Sequence, residues 1–212
     1  MHKVIDDALN PISVRAYQDA WPYESPAWIR YDSLGEYKFA LTRGIPDVLF
    51  GALQWLDQMC PATLQTDQYL HGAGLHHMPV GGRLDPHLDC DQHPITKFRR
   101  ARNAILFLDD FESDWGGDLC LYDPDLSGRC ERITPRAGRV VWFDCTDDSY
   151  HGVPGPICGP IPRRSLAVYW WEPIDWQPKR PRAQFVGLAN ETPDPEKERW
   201  RAARSVASVA VR

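Results

Sequence analysis

The stretch that decides the fold runs from Pro79 to Asp91, PVGGRLDPHLDCD, and its centre is His87-Leu88-Asp89. The pair Gly81-Gly82 marks a turn or bulge at the start of a strand. In an extended segment, side chains two apart point to the same face. His87 and Asp89 would then bring an imidazole and a carboxylate to one point, two thirds of a mononuclear metal site. Alone the pair says nothing, because a chain with 7 His and this many Asp yields roughly 0.7 of a His-x-Asp by chance. The rest of the chain has to supply what such a site needs.

A chain of 212 residues suits one domain with a small appendage, and it can bury a real core. Nine Trp and 19 Pro within a 43% hydrophobic composition favour a turn-rich, largely β fold over a helical bundle. The net charge of −5 argues against a protein that grips nucleic acid by phosphate neutralisation. The opening MHKVIDDALN has no apolar core of signal-peptide length, and no segment has the composition to span a membrane. The six cysteines contain no Cys-x-x-Cys pair, so the expectation is reduced thiols in a cytoplasmic protein that touches neither membrane nor nucleic acid. Oligomeric state is not encoded in any readable feature.

Outward from the central stretch, Gly, Pro and Asp punctuation separates short strands. They are expected at 68–78, 83–89, 102–108, 117–122, 139–144 and 164–172. Six strands without an intervening amphipathic helix predict an antiparallel sandwich or jelly roll. Before them, residues 1–66 read as helical support. Asn10-Pro11 caps a helix over 11–19, and IPDVLFGALQWLDQM over 45–59 places Leu49, Ala52, Leu53, Leu56 and Met59 on one apolar face. WIRYDSLGEYKFAL between them reads as irregular or hairpin structure. The expected organisation is one domain over 1–175, its β core at 67–172, followed by a Pro-rich extension over 176–212. There Thr192-Pro193 opens a terminal helix with acids first and Arg199, Arg201 and Arg204 later, an order that suits the helix dipole.

A third metal donor is available at His151, 62 residues beyond Asp89 and just after the strand GRVVWFDC. Two His and one carboxylate leave other metal positions open, the arrangement used by non-heme Fe(II) oxygenases. Twelve residues on, Arg163 and Ser165 share a strand face while Arg164 points away; this is the chain's single Arg-x-Ser. A guanidinium and a hydroxyl at the inner end of a strand suit a carboxylate.

With these parts in place, residues 68 to 172 resemble the Fe(II)/2-oxoglutarate-dependent dioxygenases, specifically the prolyl-4-hydroxylase-like branch. The resemblance is carried by PVGGRLDPHLD, NAILFLDDFESDWGGDLCLYDPD, ITPRAGRVVWFDC, HGVPGP and RRSLAVYWW, in that order. It implies a mainly β fold with flanking helices, a double-stranded β-helix of the jelly-roll, cupin-like kind. It also implies that His87, Asp89 and His151 ligate Fe(II), that Arg163 and Ser165 bind the distal carboxylate of 2-oxoglutarate, and that Asn103 faces inward beside it. Two tyrosines that branch members carry near Met78 and Phe107 are absent.

The reaction so implied couples O2 and 2-oxoglutarate to oxidation of a C–H bond, releasing succinate and CO2, with ascorbate as a reductant for the iron. A carboxylate at Asp89, where halogenating relatives carry a small residue, favours hydroxylation. Candidate substrate contacts are His93 in the loop after the metal strand, Arg102 in the basic cluster Arg99–Arg102, Trp115 beside Gly116-Gly117, and His76, which faces opposite to His77. The bland alternatives are a solvated loop for His93, an ordinary charged loop for the arginines and a satisfied histidine at position 76. The expected activity is hydroxylation of a small molecule such as an amino acid, a nucleoside or a natural-product intermediate. A peptidyl hydroxylase and a metal-binding β-helix without turnover are the competing readings.

Overall fold

Two strands carry the core on both of their faces. Along β6 (Arg99–Phe107) and β11 (Arg163–Glu172) nearly every residue from Asn103 and Ser165 inward is apolar and buried. Alternate side chains of such strands serve two different cores. Ala104, Leu106, Leu166, Val168 and Trp170 face outward, onto helices α1 (Pro11–Asp19) and α2 (Asp47–Asp57). Ile105, Phe107 and Ala167 face inward, where they meet Leu119, Ile133, Val141 and Phe143. The helix face expected on α2 is the one buried, with Leu49, Ala52, Leu53 and Leu56 at most 1% exposed. Truncating one of these leucines to Ala costs about 2–5 kcal/mol. Asn10 caps α1 by accepting from the Ser13 amide at 2.9 Å.

The computed structural model describes residues 1–207, with side chains described through 204. Among the described residues, twelve strands pair antiparallel. One face has the order β1 (His2–Ile5), β9 (Val140–Asp144), β6, β11, β4 (Gly74–Met78), β3 (Glu36–Leu41). It continues into β5 (Arg83–Leu88), β10 (His151–Val153), β7 (Leu119–Tyr122) and β8 (Cys130–Ile133). β3 makes the join: Phe39–Leu41 pair with β4, while Glu36 and Tyr37 pair with β5. The sheet thereby curls over itself into the expected double-stranded β-helix, with β2 (Ile29–Ser33) hairpinned onto β3 and, among the described residues, three helices outside.

Several elements differ from the expectation: β1, β8 and β10 fall in no expected strand, and β6 begins at Arg99 rather than 102. β4 begins at Gly74 rather than 68, because Asp67 turns the chain by accepting from the amides of Tyr69 and His71 at 2.8 and 2.7 Å. The terminal helix, α3 (Pro195–Ala207), opens at Asp194-Pro195 rather than Thr192-Pro193; the Asp194 carboxylate accepts from the amides of Glu196 and Lys197. The segment read as an extension is also built into the domain. β12 (Gln184–Phe185) pairs with Leu88 and His87 on β5. α3 is tied to the same strand through Asp85, whose carboxylate lies 2.7 Å from Lys197 and 3.5 Å from Arg201.

Candidate metal centre

β5 and β10 pair in antiparallel register with His151 directly opposite His87, so the two imidazoles converge with ring centroids 4.3 Å apart. Asp89 follows the end of β5 and reaches both. Its carboxylate oxygens lie 3.6 Å from His87 Nε2 and 3.5 Å from His151 Nε2. Potential donor atoms of the three residues all lie within 4.8 Å of one another, close enough for a single ion.

Each imidazole is turned for that task. His87 Nδ1 lies 2.9 Å from the Asp85 carbonyl, and His151 Nδ1 lies 2.9 Å from the Ser149 carbonyl. A carbonyl only accepts, so Nδ1 carries the proton in each ring and Nε2 presents its lone pair to the centre. Phe185 stacks on His87 at 5.3 Å, and Phe143 lies 4.7 Å from His151. Burial, reinforced by neighbouring His87, pushes His151 down to about 4, which keeps the ring neutral at physiological pH. Burial pushes the Asp89 carboxyl up, but Arg100, His151 and His87 together hold it well below the usual carboxylate range. The donor set is therefore two imidazole nitrogens and an anionic oxygen, which fits Fe(II) and leaves positions open.

From this centre a cavity of about 70 Å³ runs inward between the sheets to Arg163 and Ser165, lined also by Lys38, His76, Met78 and Asn103. Arg163 is 4% exposed. Its Nη1 donates to Ser165 Oγ at 3.4 Å and lies 3.8 Å from Met78 Sδ, its plane covers Phe107 at 4.8 Å, and its Nε has no partner. Among the described residues no carboxylate lies within pairing distance of it. Burial accordingly brings it down to about 10. Asn103 Oδ1, also on the cavity, is buried and has no partner among the described residues. An unpaired cation at the closed end matches the chemistry of a dicarboxylate cosubstrate.

The other expected contacts fare differently. His76 lines this cavity with its Nε2 3.2 Å from the Gly72 carbonyl, and burial pushes it down to about 3. His77 faces away, into Trp21, Tyr23 and Trp28. His93 is not at the cavity and is not a solvated loop residue either. It is 1% exposed, and with Nδ1 accepting from the amides of Ile95 and Thr96, its Nε2 donates to Asp67 at 3.1 Å. Arg102 points outward, pairing with Asp144 at 2.6 Å over Trp142. Trp115 packs on Phe111 in a cluster with Ile157 and does not line the cavity.

Sequence reasoning missed Arg100, Lys38 and Phe185. Arg100 was expected only as part of a charged cluster, but its Nη1 lies 3.5 Å from Asp89 Oδ2. Alternation from Asn103 would place it outside; the register shifts at Ala101, a β-bulge that turns Arg100 inward. Nothing local in the sequence marks that extra residue.

Comparison with known proteins agrees with this geometry. Residues 73–171 match the family model described as 2OG-Fe(II) oxygenase superfamily. The chain is 30% identical over 105 residues to human Prolyl 3-hydroxylase 3, a match covering 49% of this chain and 13% of that protein. Among solved structures, a Pseudomonas putida prolyl-4-hydroxylase aligns with TM-score 0.58 and 21% identity over 81% of this chain and 91% of its own. HygX from Streptomyces hygroscopicus, solved with nickel and 2-oxoglutarate bound, aligns with TM-score 0.56 and 13% identity over 83% and 85%.

Proposed function

From the premise that the chain belongs, through residues 73–171, to the 2OG-Fe(II) oxygenase superfamily, we propose that it hydroxylates an unactivated C–H bond of a small-molecule substrate. The observation that carries the catalytic reading is the cavity joining His87, Asp89 and His151 to the unpaired Arg163. His87, Asp89 and His151 hold Fe(II). Arg163 and Ser165 receive the distal carboxylate of 2-oxoglutarate, and Asn103, on the same cavity, offers its side-chain NH2 as a donor to the cosubstrate. Iron with bound 2-oxoglutarate supplies the oxidising chemistry with O2, releasing succinate and CO2 as one oxygen enters the substrate. The protein's part is to bind and orient: carbonyls fix both imidazoles, aromatic rings wall them, and the apolar lining of Ile105, Leu119 and Ala167 keeps water low.

Support for a small substrate comes from the surroundings of the metal strand. Both edges of β5 are taken, by β10 on one side and by β3 and β12 on the other, so no free edge beside the metal accepts a peptide as an added strand. Arg100, whose guanidinium faces Asp89, also lines a separate hollow of about 570 Å³ together with Arg102, a volume within the range of small-molecule sites. The peptidyl alternative draws on the match to human Prolyl 3-hydroxylase 3. The deciding experiment incubates the protein with Fe(II), 2-oxoglutarate, ascorbate and either a metabolite extract or a peptide library. A one-oxygen gain on a metabolite, dependent on 2-oxoglutarate, supports the proposal. Oxygen gain confined to peptides replaces it with the peptidyl reading. Absence of succinate release under all conditions removes both.

A further inference from the structure

Arg100 does more than line the hollow beside the metal centre. It is 3% exposed, and its guanidinium is held at both terminal nitrogens and against two aromatic rings. One nitrogen lies 3.5 Å from Asp89 Oδ2 and another 3.1 Å from Cys90 Sγ, while the plane stacks over Tyr169 at 3.7 Å and Trp171 at 4.9 Å. Its backbone amide donates to the Asp91 carbonyl at 2.9 Å, which locks the bulged strand to the end of the metal strand. Asp89 is the one carboxylate within pairing distance of it among the described residues.

A carboxylate torsion is broad and roughly two-fold, so an aspartate at the end of a strand does not choose its own orientation. We propose that Arg100 is a positioning residue that sets the orientation of Asp89 as a metal ligand, an assignment that rests on the metal-centre reading above. Arg100 engages Oδ2, on the side shared with His151, and leaves Oδ1 facing His87 Nε2. The contacts with the Tyr169 and Trp171 rings restrict the guanidinium's own freedom. Orientation is thereby passed from a rigid aromatic stack to the ligand, and the bulge at Ala101 is the backbone device that makes it possible.

Charge and orientation predict opposite signs here. A guanidinium beside the site repels a dication, so removing it by charge alone would tighten metal binding. Removing an orienting partner of a ligand weakens it, typically 10–100-fold. The experiment is calorimetric titration of the full chain with Ni(II) in wild type, Arg100→Met, Asp89→Ala and the double variant. The expected result is 10–100-fold weaker Ni(II) binding in Arg100→Met and no further loss when that change is added to Asp89→Ala. Equal or tighter binding in Arg100→Met, or the same loss in the Asp89→Ala background, overturns the proposal. Arg100→Lys, which keeps the charge but not the planar fork, serves if the Met variant does not fold. It is expected to bind Ni(II) more weakly than wild type, and wild-type binding by it overturns the proposal as well. His87→Ala and His151→Ala test the underlying reading separately: if these bind Ni(II) as wild type does, the metal centre itself is misplaced.

Discussion

Replacing Arg163 with Leu should move stability and cosubstrate affinity in opposite directions. The guanidinium is 4% exposed with no carboxylate partner among the described residues, and burial takes it from 12.5 down to about 10. At about 1.4 kcal/mol per decade that displacement corresponds to a cost of roughly 3 kcal/mol. The sign follows from protons bound. Between pH 10 and 12.5 the unfolded chain holds a proton that the folded chain does not, so the cost is fully present at pH 7 and fades only as pH rises through that window. Leu removes the cost but also the contact with the Phe107 ring, about 0.5–2 kcal/mol. The net expectation is a gain of about 1–2 kcal/mol in unfolding free energy, read as a higher urea midpoint by tryptophan fluorescence. The same substitution deletes the partner of a buried carboxylate, a loss of about 3–5 kcal/mol. Calorimetric titration of Mn(II)-loaded protein with 2-oxoglutarate should therefore show affinity lowered about 10²–10³-fold or more. An Arg163→Leu protein that is less stable, or that binds 2-oxoglutarate within threefold of wild type, would refute the assignment of this cation to the cosubstrate.

Three further outcomes are expected. His151 sits at about 4 in the folded protein against an ordinary 6.5. The metal-free chain should thus lose about 3 kcal/mol as pH falls from 6.5 through 4, and a flat urea midpoint across that range, with chelator present, would contradict this. Gly152→Ala should separate the two metal strands, because its Cβ would lie 2.6 Å from the Leu84 carbonyl oxygen. A large loss of Ni(II) affinity with the β fold retained by circular dichroism is the signature, and unchanged affinity speaks against the β5–β10 register. Phe185→Ala removes a ring stacked on His87 and packed 4.9 Å from Trp200. It should cost about 3–5 kcal/mol of stability and weaken metal binding, whereas a neutral effect would mean that the C-terminal segment does not support the site.

The sequence alone determined the parts whose logic is local. Period-two alternation placed Arg163 and Ser165 on one face and Arg164 on the other, and Arg164 indeed turns outward to Asp109 at 2.5 Å. The spacing of Leu49, Leu53 and Leu56 named the buried face of α2, and Asn10-Pro11 named its cap for α1. His87, Asp89 and His151 were legible as one donor set, since each residue type is what the chemistry requires. Only the tertiary structure decided what depends on register and on long-range pairing. A single extra residue at Ala101 reverses the facing of Arg100. The return of Gln184 and Phe185 onto β5 makes the C-terminal segment a wall of the metal site. His93, polar and in a loop, is buried because Asp67 lies 3.1 Å away across 26 residues of chain. Alternation is a property of one strand and can be read from it. A bulge or a distant partner is a property of two segments at once, and no single segment records it.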